Sequence, residues 1–354
     1  MPLLRRSILA FACALPLVLP TVSAAQERTD FRLCWSIYVG WMPWGWAADS
    51  GIVDKWAEQY GLDIEVVQIN DYIESINQYT AGAFDGCTMT NMDALTIPAV
   101  GGVDSTALII GDFSNGNDGI VSKSASSLEE LAGERVNLVE LSVSHYLLAW
   151  ALESAGLAER DLAAVVNTSD ADMVSVFTAS ADVAHVVTWN PLLAEVRAVP
   201  GSTPLFDSSE IPGEIIDMLV VNTGVLEANP DFGKALVGAW YETMAIMQGD
   251  DEAGIAARAA MGDAAGTDIV GYEMQLDSTL MFYDPADAVG FTTSPDLIDT
   301  MERVRIFSDS HGLLEGGLDH VGITFPDGTI LGSETNVKLR FTADYMAMAA
   351  EGAL

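Results

Sequence analysis

A cluster of tryptophans near the start of the chain offers flat aromatic surface for binding. Trp41, Trp44 and Trp46 fall within the stretch YVGWMPWGWAADSG and belong to the 8 tryptophans of the whole chain. An indole ring can stack on a planar or cationic group, and its N–H donates one hydrogen bond. Glycine and proline interrupt the stretch and argue against a regular helix. We therefore predict a loop that presents tryptophans to a ligand, with a buried aromatic core segment as the alternative.

The residue types needed for catalysis or metal binding form no recognisable pattern. The four histidines, at positions 145, 185, 311 and 320, lack metal-ligand spacing, and HExxH, CxxC and GxSxG motifs are missing. No glycine-rich loop of the phosphate-binding kinds occurs. The acidic run Asp112–Asp118 misses the oxygen spacing of a calcium loop and is interpreted as a solvated hinge. The sequence thus predicts no catalytic residue, no metal and no cofactor.

The N-terminus has the features of an export signal. Arg5 and Arg6 precede an apolar run from Ile8 to Leu19, and Val22-Ser23-Ala24 gives a small-x-small cleavage pattern. The run is too short to span a bilayer and contains Pro16. We predict a signal peptide over residues 1–25, cleaved near residue 24 or 25, and a periplasmic mature protein.

The charge balance excludes two classes of partner. The chain has 15 basic and 51 acidic residues, and loss of the two signal arginines gives a mature charge of 13 − 51 = −38. Nucleic acid and anionic membrane surfaces would be repelled by this charge. Half of the residues are hydrophobic, which favours a packed globule over a disordered acidic chain.

Only two cysteines, Cys34 and Cys87, follow the predicted signal. An exported chain permits a disulfide, but a single pair does not make a disulfide scaffold. Since each lies in a predicted strand, we expect two inert buried thiols.

Strands alternate with helices along the mature chain, which indicates parallel sheets covered by helices. Asp71-Tyr72-Ile73-Glu74 forms a capping box that begins one helix, which ends at Gly82. The predicted strands are Phe31–Tyr38, Leu62–Ile69, Phe84–Met89, Arg135–Val139, Ala164–Asn167, Val183–Thr188 and Ile215–Asn222. The other predicted helices are Asp49–Tyr60, Asn91–Val100, Ser144–Ala155, Met173–Ala179, Pro191–Val196 and Pro230–Met247.

Two polar connectors divide this pattern into two α/β lobes. The connectors are Gly111–Gly119 and Ser208–Glu214, which we predict to be hinges. Residues 26–112 are assigned to the first lobe and residues 113–213 to the second. Residues 214–354 return to the first lobe and add C-terminal helices and an extension. Ligands of open α/β sheets bind beyond the carboxyl ends of strands, and the tryptophan stretch follows the first strand.

Long stretches of the chain resemble one family of solute-binding proteins of ABC importers. The general order of segments is similar to the nitrate/taurine/sulfonate branch, which is related to pyrimidine-binding thiamine-precursor proteins. The subgroup encoded beside urea carboxylase genes resembles the chain more closely. The stretches that carry this resemblance are YVGWMPWGWAADSGIV, QINDYIESINQYTAG, DGCTMTNMDALTIPA, NLVELSVSHYLL, VVTWNP and IPGEIIDMLVVN.

This resemblance implies a two-lobed periplasmic binding protein of type II, with a mainly parallel sheet in each lobe. It also implies a monomer that delivers a small solute to a membrane permease with a cytoplasmic ATPase. The subgroup suggests a planar, nitrogen-rich solute, guanidine or urea. Taurine, nitrate or a pyrimidine thiamine precursor are alternatives. A thiamine-precursor synthase that sacrifices an active-site histidine is the alternative of a different class.

The resemblance also points to the loops that contact ligand, and these loops contain no Lys or Arg. That departure from the sulfonate and nitrate branches disfavours an anion. Glu214 is our first choice for the acid that holds a cation, followed by Asp71 and Asp217. For both Asp71 and His145, the alternative is a purely structural role as a helix cap, and it remains open. The predicted ligand-binding residues are Trp41, Trp44, Trp46, Asp71, Thr90, Asn91, Ser144, His145, Trp189, Glu214 and Asp217.

Overall fold

The structure, a computed structural model, describes residues 28–354. The predicted signal peptide therefore lies outside the described residues. Among residues 28–354, no helix combines the length and the apolar character needed to cross a bilayer.

The strands of the described residues form one sheet of nine strands and one of five. In chain order they are β1 (Asp30–Trp35), β2 (Asp63–Gln68), β3 (Gly86–Thr90), β4 (Ser105–Ser114), β5 (Asp118–Ser122), β6 (Arg135–Leu138), β7 (Ala164–Asn167), β8 (His185–Trp189), β9 (Thr203–Asp207), β10 (Ile216–Asn222), β11 (Thr279–Met281), β12 (Gly322–Thr324), β13 (Ile330–Gly332) and β14 (Val337–Phe341). The first sheet has the order β13-β12-β14-β4-β10-β3-β1-β2, with β11 also paired to β4, and the second has the order β7-β6-β8-β5-β9.

Helices cover these sheets, as the alternating pattern predicts. They are α1 (Met42–Asp49), α2 (Ile52–Gln59), α3 (Tyr72–Thr80), α4 (Asn91–Ala94), α5 (Val143–Ser154), α6 (Asp170–Ala179), α7 (Leu192–Arg197), α8 (Thr223–Ala228), α9 (Pro230–Met247), α10 (Glu252–Ala264), α11 (Ile269–Leu276), α12 (Pro285–Thr292), α13 (Pro295–Ser310) and α14 (Asp344–Ala350). Side chains alternate between the two faces of a strand, so Ile120 and Val121 on β5 enter different hydrophobic clusters. The five-stranded sheet is thus buried on both faces.

The chain passes between the sheets twice, and both sheets are mixed, not mainly parallel as predicted. β4 belongs to the first sheet and β5 to the second, so the first crossing is confined to residues 115–117. The second crossing runs from the end of β9 to β10. β10 pairs antiparallel with β3 and β4, and β5 pairs antiparallel with β8 and β9. β11 and β13 also pair antiparallel in the first sheet. We call the nine-stranded unit the first lobe and the five-stranded unit the second lobe.

The predicted tryptophan loop is wrong for Trp44 and Trp46, because Met42–Asp49 is helical; Trp41 precedes the helix. Pro43 lies in the first turn of α1, where its missing N–H breaks no helical hydrogen bond. Gly45 lies inside the helix. Its missing side chain makes room for the ring of Trp35, since a Cβ at position 45 would stand 2.5 Å from that ring. Trp44 is buried and stacks on Trp240, with ring centroids 5.2 Å apart. For Trp44, therefore, the alternative of a core residue describes the structure.

The expectation of two separate thiols is also wrong. Cys34 on β1 and Cys87 on β3 are register partners on adjacent parallel strands, and the structure joins them in a disulfide. Both residues are fully buried. The strand assignments predicted from sequence place each cysteine correctly but carry no information about which strands are neighbours.

Replacing Trp44 with alanine should reduce stability, since it opens a large cavity in the first lobe. We expect a loss of about 3–5 kcal/mol in the free energy of unfolding. Differential scanning calorimetry of the ligand-free protein would measure it. Trp46→Ala is the matched control, because Trp46 is partly exposed and its loss should cost less. Equal losses for the two variants would contradict the core position of Trp44.

Candidate functional site

A small cavity lies between the two lobes. Its volume is about 10 Å³, near the lower limit for one water-sized molecule. The first lobe supplies side chains from β3, β10 and the segment before α1, and the second lobe supplies side chains from β5, α5 and β8. The lining residues are Tyr38, Trp41, Tyr72, Thr90, Asp118, Val143, Trp189, Ile215 and Asp217. This lining includes no Lys, Arg or His.

Four aromatic rings form a continuous wall around the cavity. Ring centroids are 4.9 Å apart for Tyr38 and Trp41, 5.6 Å for Trp41 and Tyr72, and 5.6 Å for Tyr72 and Trp189. The Tyr72 hydroxyl donates to Asp93 over 2.6 Å, which fixes its ring. Trp189 belongs to the second lobe and the other three rings to the first. Aromatic contacts therefore cross the cleft and exclude water from it.

Three carboxylates are buried at the same place. Asp112 on β4 and Asp217 on β10 are direct cross-strand partners, and Asp118 begins β5 on the second lobe. All three are at most 2% exposed. Among the described residues none of them forms an ion pair with Lys, Arg or His. We call these residues the aspartate trio.

The hydrogen bonds of the trio leave acceptor atoms free. The Tyr38 hydroxyl donates a hydrogen bond to Oδ1 of Asp112 over 2.9 Å, and the backbone N–H of Asp118 donates to Ser114 Oγ over 3.1 Å. Oδ2 of Asp112 and Oδ2 of Asp217 are buried without a hydrogen-bond partner. Buried polar atoms without partners are uncommon in folded proteins and call for a ligand, a proton or a water.

Burial and mutual repulsion raise the pKa values of the trio. Burial raises the pKa of Asp112 to about 7 and that of Asp118 to about 7. It raises the pKa of Asp217 well above its usual range, and the charges of Asp112 and Asp118 add to this effect. The free energy cost of ionising these groups falls when a positive charge enters the cavity.

Gly40 gives the trio its space. A Cβ at position 40 would lie 2.4 Å from Oδ2 of Asp112 and 2.6 Å from the ring of Tyr38. Any side chain there would displace the carboxylate. The glycine that interrupts the tryptophan stretch thus has a role at the site, different from the helix-breaking role predicted from the sequence.

Four of the predicted ligand-binding residues meet at the cavity, namely Trp41, Thr90, Trp189 and Asp217. The structure places the other seven elsewhere. Trp44 lies in the core, and Trp46 lines a separate surface groove beside α10. Asp71 caps α3 by accepting from the Glu74 N–H over 2.9 Å, as its helix-cap alternative predicts.

The remaining predicted residues have structural partners or lie outside the cavity lining. Asn91 connects the strand ends, accepting from Ile216 N over 3.1 Å and donating to the backbone oxygen of Glu214 over 3.1 Å. The Glu214 carboxylate forms an ion pair with Arg303 and accepts a hydrogen bond from the Tyr146 hydroxyl over 2.7 Å. Its charge is therefore already neutralised, and our first choice for the cation-binding acid does not reach the cavity.

Ser144 and His145 lie in the first turn of α5 and do not line the cavity. Ser144 is fully buried with a free hydroxyl, whereas His145 contacts Glu159. Only Val143 of this turn reaches the cavity. The predicted turn is thus correctly located, but its polar side chains point elsewhere.

Sequence reasoning missed Tyr38, Tyr72, Asp112 and Asp118. Asp112 and Asp118 are the two ends of the acidic run that was interpreted as a solvated hinge, and the structure buries both. The apolar run of β4 up to Ile110 indicates a buried strand, but a bulge between Ile110 and Asp112 breaks the alternation of faces, so no local pattern indicated that Asp112 would be buried. Nothing local indicated that Asp217 would be its cross-strand partner.

The family described as NMT1/THI5 like matches residues 56–253. No curated protein matches the sequence.

Several solved structures share the fold at low sequence identity. The alkanesulfonate-binding protein SsuA from Xanthomonas axonopodis pv. citri, bound to MOPS, has a TM-score of 0.67 and 15% identity, covering 82% of this chain and 96% of its own. The periplasmic aliphatic sulphonate binding protein SsuA from Escherichia coli has a TM-score of 0.65 and 17% identity, covering 80% and 94%. The nitrate-binding protein NrtA from Synechocystis PCC 6803 has a TM-score of 0.58 and 13% identity, covering 93% and 99%. The predicted fold, a two-lobed periplasmic binding protein, is confirmed.

The raised pKa values of the trio predict how the stability of the protein depends on pH. Since the folded pKa of Asp112 is near 7 and the unfolded value near 4, the folded state holds a proton that the unfolded state has lost between these pH values. Stability of the ligand-free protein should therefore fall as the pH rises from about 4 to about 7. Melting temperatures at pH 5 and pH 7.5 would show it.

Asp112→Asn should flatten this pH dependence, because the amide cannot ionise and still accepts from Tyr38. Asp63→Asn is the control, since Asp63 is exposed on β2 and the charge change is the same. An unchanged slope in Asp112→Asn would show that the trio does not control the pH dependence.

Proposed function

Because the chain belongs to the NMT1/THI5-like family and has the fold of periplasmic binding proteins, we propose that it is an extracytoplasmic solute-binding protein of an ABC importer. In this function the two lobes close on a solute and present it to a membrane permease that works with a cytoplasmic ATPase. The protein would act as a monomer in the periplasm. The cavity between the lobes supports this proposal, since both lobes supply its lining.

The solute that the cavity suits best is a small planar cation of the guanidine type. The carrying observation is the aspartate trio, three buried carboxylates without a basic partner among the described residues. Asp118 and Asp217 line the cavity beside the aromatic rings, and Asp112 is the cross-strand partner of Asp217. A buried charge without a partner is strongly unfavourable, so a cation that entered would be held firmly. Aromatic faces attract such a cation, by about 0.5–2 kcal/mol for each contact.

The groups have distinct roles in this proposal. Asp217 and Asp118 face the cavity from opposite lobes and accept the in-plane N–H groups of the cation. Trp41 and its aromatic neighbours cover the faces of the plane. Because the two carboxylates lie on different lobes, the cation attracts both lobes and favours closure. Asp217 replaces Glu214 as the acid on which binding depends.

Anions fit this site poorly. The cavity lining has four aromatic side chains but no basic side chain, and a sulfonate or nitrate would approach buried carboxylates. What the SsuA and NrtA proteins bind is therefore a weak guide to the solute of this chain.

Urea is the second candidate, on a specific observation. Nε1 of Trp41 is a buried donor without an acceptor, and it lies on a residue that lines the cavity. The carbonyl oxygen of urea would satisfy this donor, whereas guanidinium offers no acceptor. Protonated carboxyl groups of the trio would then face a neutral solute.

We propose no enzymatic turnover. A synthase that sacrifices an active-site histidine needs that histidine beside its substrate, and no histidine lines the cavity. His145, the candidate for such a role, contacts Glu159 instead.

Isothermal titration calorimetry should detect guanidinium binding at one site at pH 7.5. Asp217→Asn should weaken it by about 2–5 kcal/mol, since the cation is left without its buried partner. Asp63→Asn removes the same charge from an exposed position and should leave the affinity unchanged. Binding of taurine or nitrate without guanidinium or urea would refute the proposed solute but not the class of protein.

Proton release separates the two candidate solutes. At pH 6 the trio carries protons, because two of its members have pKa values of about 7. Guanidinium must displace protons from it, and its affinity should rise with pH; urea should bind without this release. Calorimetry in two buffers that differ in ionisation enthalpy counts the protons. Guanidinium binding without proton release would mean that the trio is not its counter-charge.

A further inference from the structure

A second cluster of titratable groups lies outside the cavity and joins α13 to the second lobe. Nε2 of His311 is hydrogen-bonded to Oε1 of Glu159 over 2.6 Å. Nε2 of His145 lies 3.1 Å from Oε2 of the same carboxylate without the alignment of a hydrogen bond. His145 is 3% exposed, and the other two are half-buried. The two imidazole rings meet edge to face with centroids 5.1 Å apart. We call His145, Glu159 and His311 the histidine–glutamate clasp.

The clasp connects parts of the molecule that move apart when the lobes separate. His145 lies on α5, and Glu159 lies in the turn that precedes β7, so both belong to the second lobe. His311 directly follows α13. Met301 on α13 is buried in the core of the first lobe and contacts Asn91 Nδ2 at 3.6 Å. The clasp therefore spans the two lobes at the end of a helix anchored on the first.

The spacing of the three donors also suits a metal ion, but the hydrogen bonds of the rings favour protons. Nδ1 of His145 accepts the backbone N–H of Leu141 over 3.1 Å, so the proton of this ring lies on Nε2. A metal on Nε2 would require that nitrogen to be bare as well. The 2.6 Å contact of His311 with Glu159 is a hydrogen-bond distance, shorter than the separation of two ligands around one ion.

His311 carries protons on both nitrogens in this arrangement. Its Nδ1 lies 2.8 Å from the carbonyl oxygen of Phe307, which only accepts hydrogen bonds. Its Nε2 faces the carboxylate of Glu159, which also accepts. Ser310 Oγ lies 3.0 Å from Nδ1, but its hydroxyl donates to the Phe307 carbonyl oxygen over 2.7 Å and offers Nδ1 no proton. A neutral ring has one N–H and could satisfy only one of the two acceptors. The geometry thus selects the imidazolium form.

From these contacts we propose that His311 and Glu159, aligned by His145, form a pH-dependent clasp that holds the second lobe against α13 and favours the closed cleft. The clasp is present when His311 is protonated and Glu159 is ionised. It opens when His311 loses its proton. Closure of the cleft is then sensitive to the pH of the compartment, independently of which solute the cavity binds.

The pKa shifts give the direction of the effect. The hydrogen bond to Glu159 raises the pKa of His311, so the clasp is fully present below the ordinary histidine value and is lost as the pH rises through the raised value. Partial burial acts to raise the pKa of Glu159, but the two histidines outweigh it and lower the value to about 2. Glu159 therefore becomes protonated, and the clasp loses its negative charge, only in strong acid.

Other charged groups around His311 are few. Glu153 on α5 and Arg303 on α13 line the surface groove that His311 also lines, together with the Tyr146 hydroxyl. Arg303 is already paired with Glu214. Arg160 and Asp309 adjoin the clasp in sequence. Glu159 is thus the acid in direct contact with His311.

Nitrogen-15 NMR of the histidine rings in the ligand-free, full-length mature protein tests the protonation states. His311 should titrate above the ordinary histidine value of about 6.5, and the proton of His145 should lie on Nε2. Glu159→Gln should lower the pKa of His311 toward the ordinary value. A His311 that titrates at or below the ordinary value, or no change in Glu159→Gln, would overturn the clasp.

Small-angle X-ray scattering tests the effect on the lobes. The radius of gyration of the wild type should increase between pH 6 and pH 9. His311→Gln should show the larger radius already at pH 6 and respond less to pH, whereas His320→Gln, which changes a histidine outside the clasp, should behave like the wild type. Identical profiles for wild type and His311→Gln would overturn the proposal.

Zinc provides the competing outcome. Addition of one equivalent should leave the ring signals of His145 and His311 unchanged. A stoichiometric shift of both Nε2 signals that is lost in Glu159→Gln would assign the cluster to a metal and overturn the proton-dependent clasp.

Discussion

The burial of like charges at the junction of the two lobes is the constraint on which the structure depends. Asp112 and Asp217 face each other across β4 and β10, in a register where like charges repel. Asp118, on the other lobe, adds a third carboxylate to the same space. Neighbouring aromatic rings remove the water that would screen them. The site is consequently strained while it is empty of positive charge, and a proton or a cation relieves the strain.

The chain connectivity creates this arrangement. β4 leads out of the first lobe, β10 leads back into it, and the strands are adjacent because both connect to the second lobe. β5, the first strand after the crossing, begins at Asp118. All three carboxylates therefore lie at the crossings, where a small movement of one lobe changes their separation. A cation held there is coupled to closure by position alone.

The sequence predicted the elements well where the signals were local. The helix cap at Asp71, the helix Pro230–Met247 and the strand Ala164–Asn167 agree with the structure, although the Glu74 side chain accepts from Gln78 and does not complete the predicted capping box. It failed at α1, because proline in a first turn is tolerated and a glycine can make room for a neighbouring ring. The role of Gly45 depends on the three-dimensional position of Trp35, which no short sequence pattern predicts.

The site was predicted in part for the same reason. Trp41, Trp189, Thr90 and Asp217 follow strand ends or lie on them, and strand ends can be read from alternation. Glu214 was a reasonable acid by position, yet Arg303 neutralises it from 89 residues along the chain. The pairing of Asp112 with Asp217 is equally remote in sequence. Which charges are neutralised and which remain free is decided by such long-range contacts.

The structure of a guanidinium complex at pH 7.5, determined by crystallography, tests the central claim most directly. The account predicts one planar cation between the lobes, stacked against Trp41 and hydrogen-bonded to Asp217 and Asp118. An anion in the cavity, or guanidinium bound only at the surface while the trio remains unchanged, would contradict it.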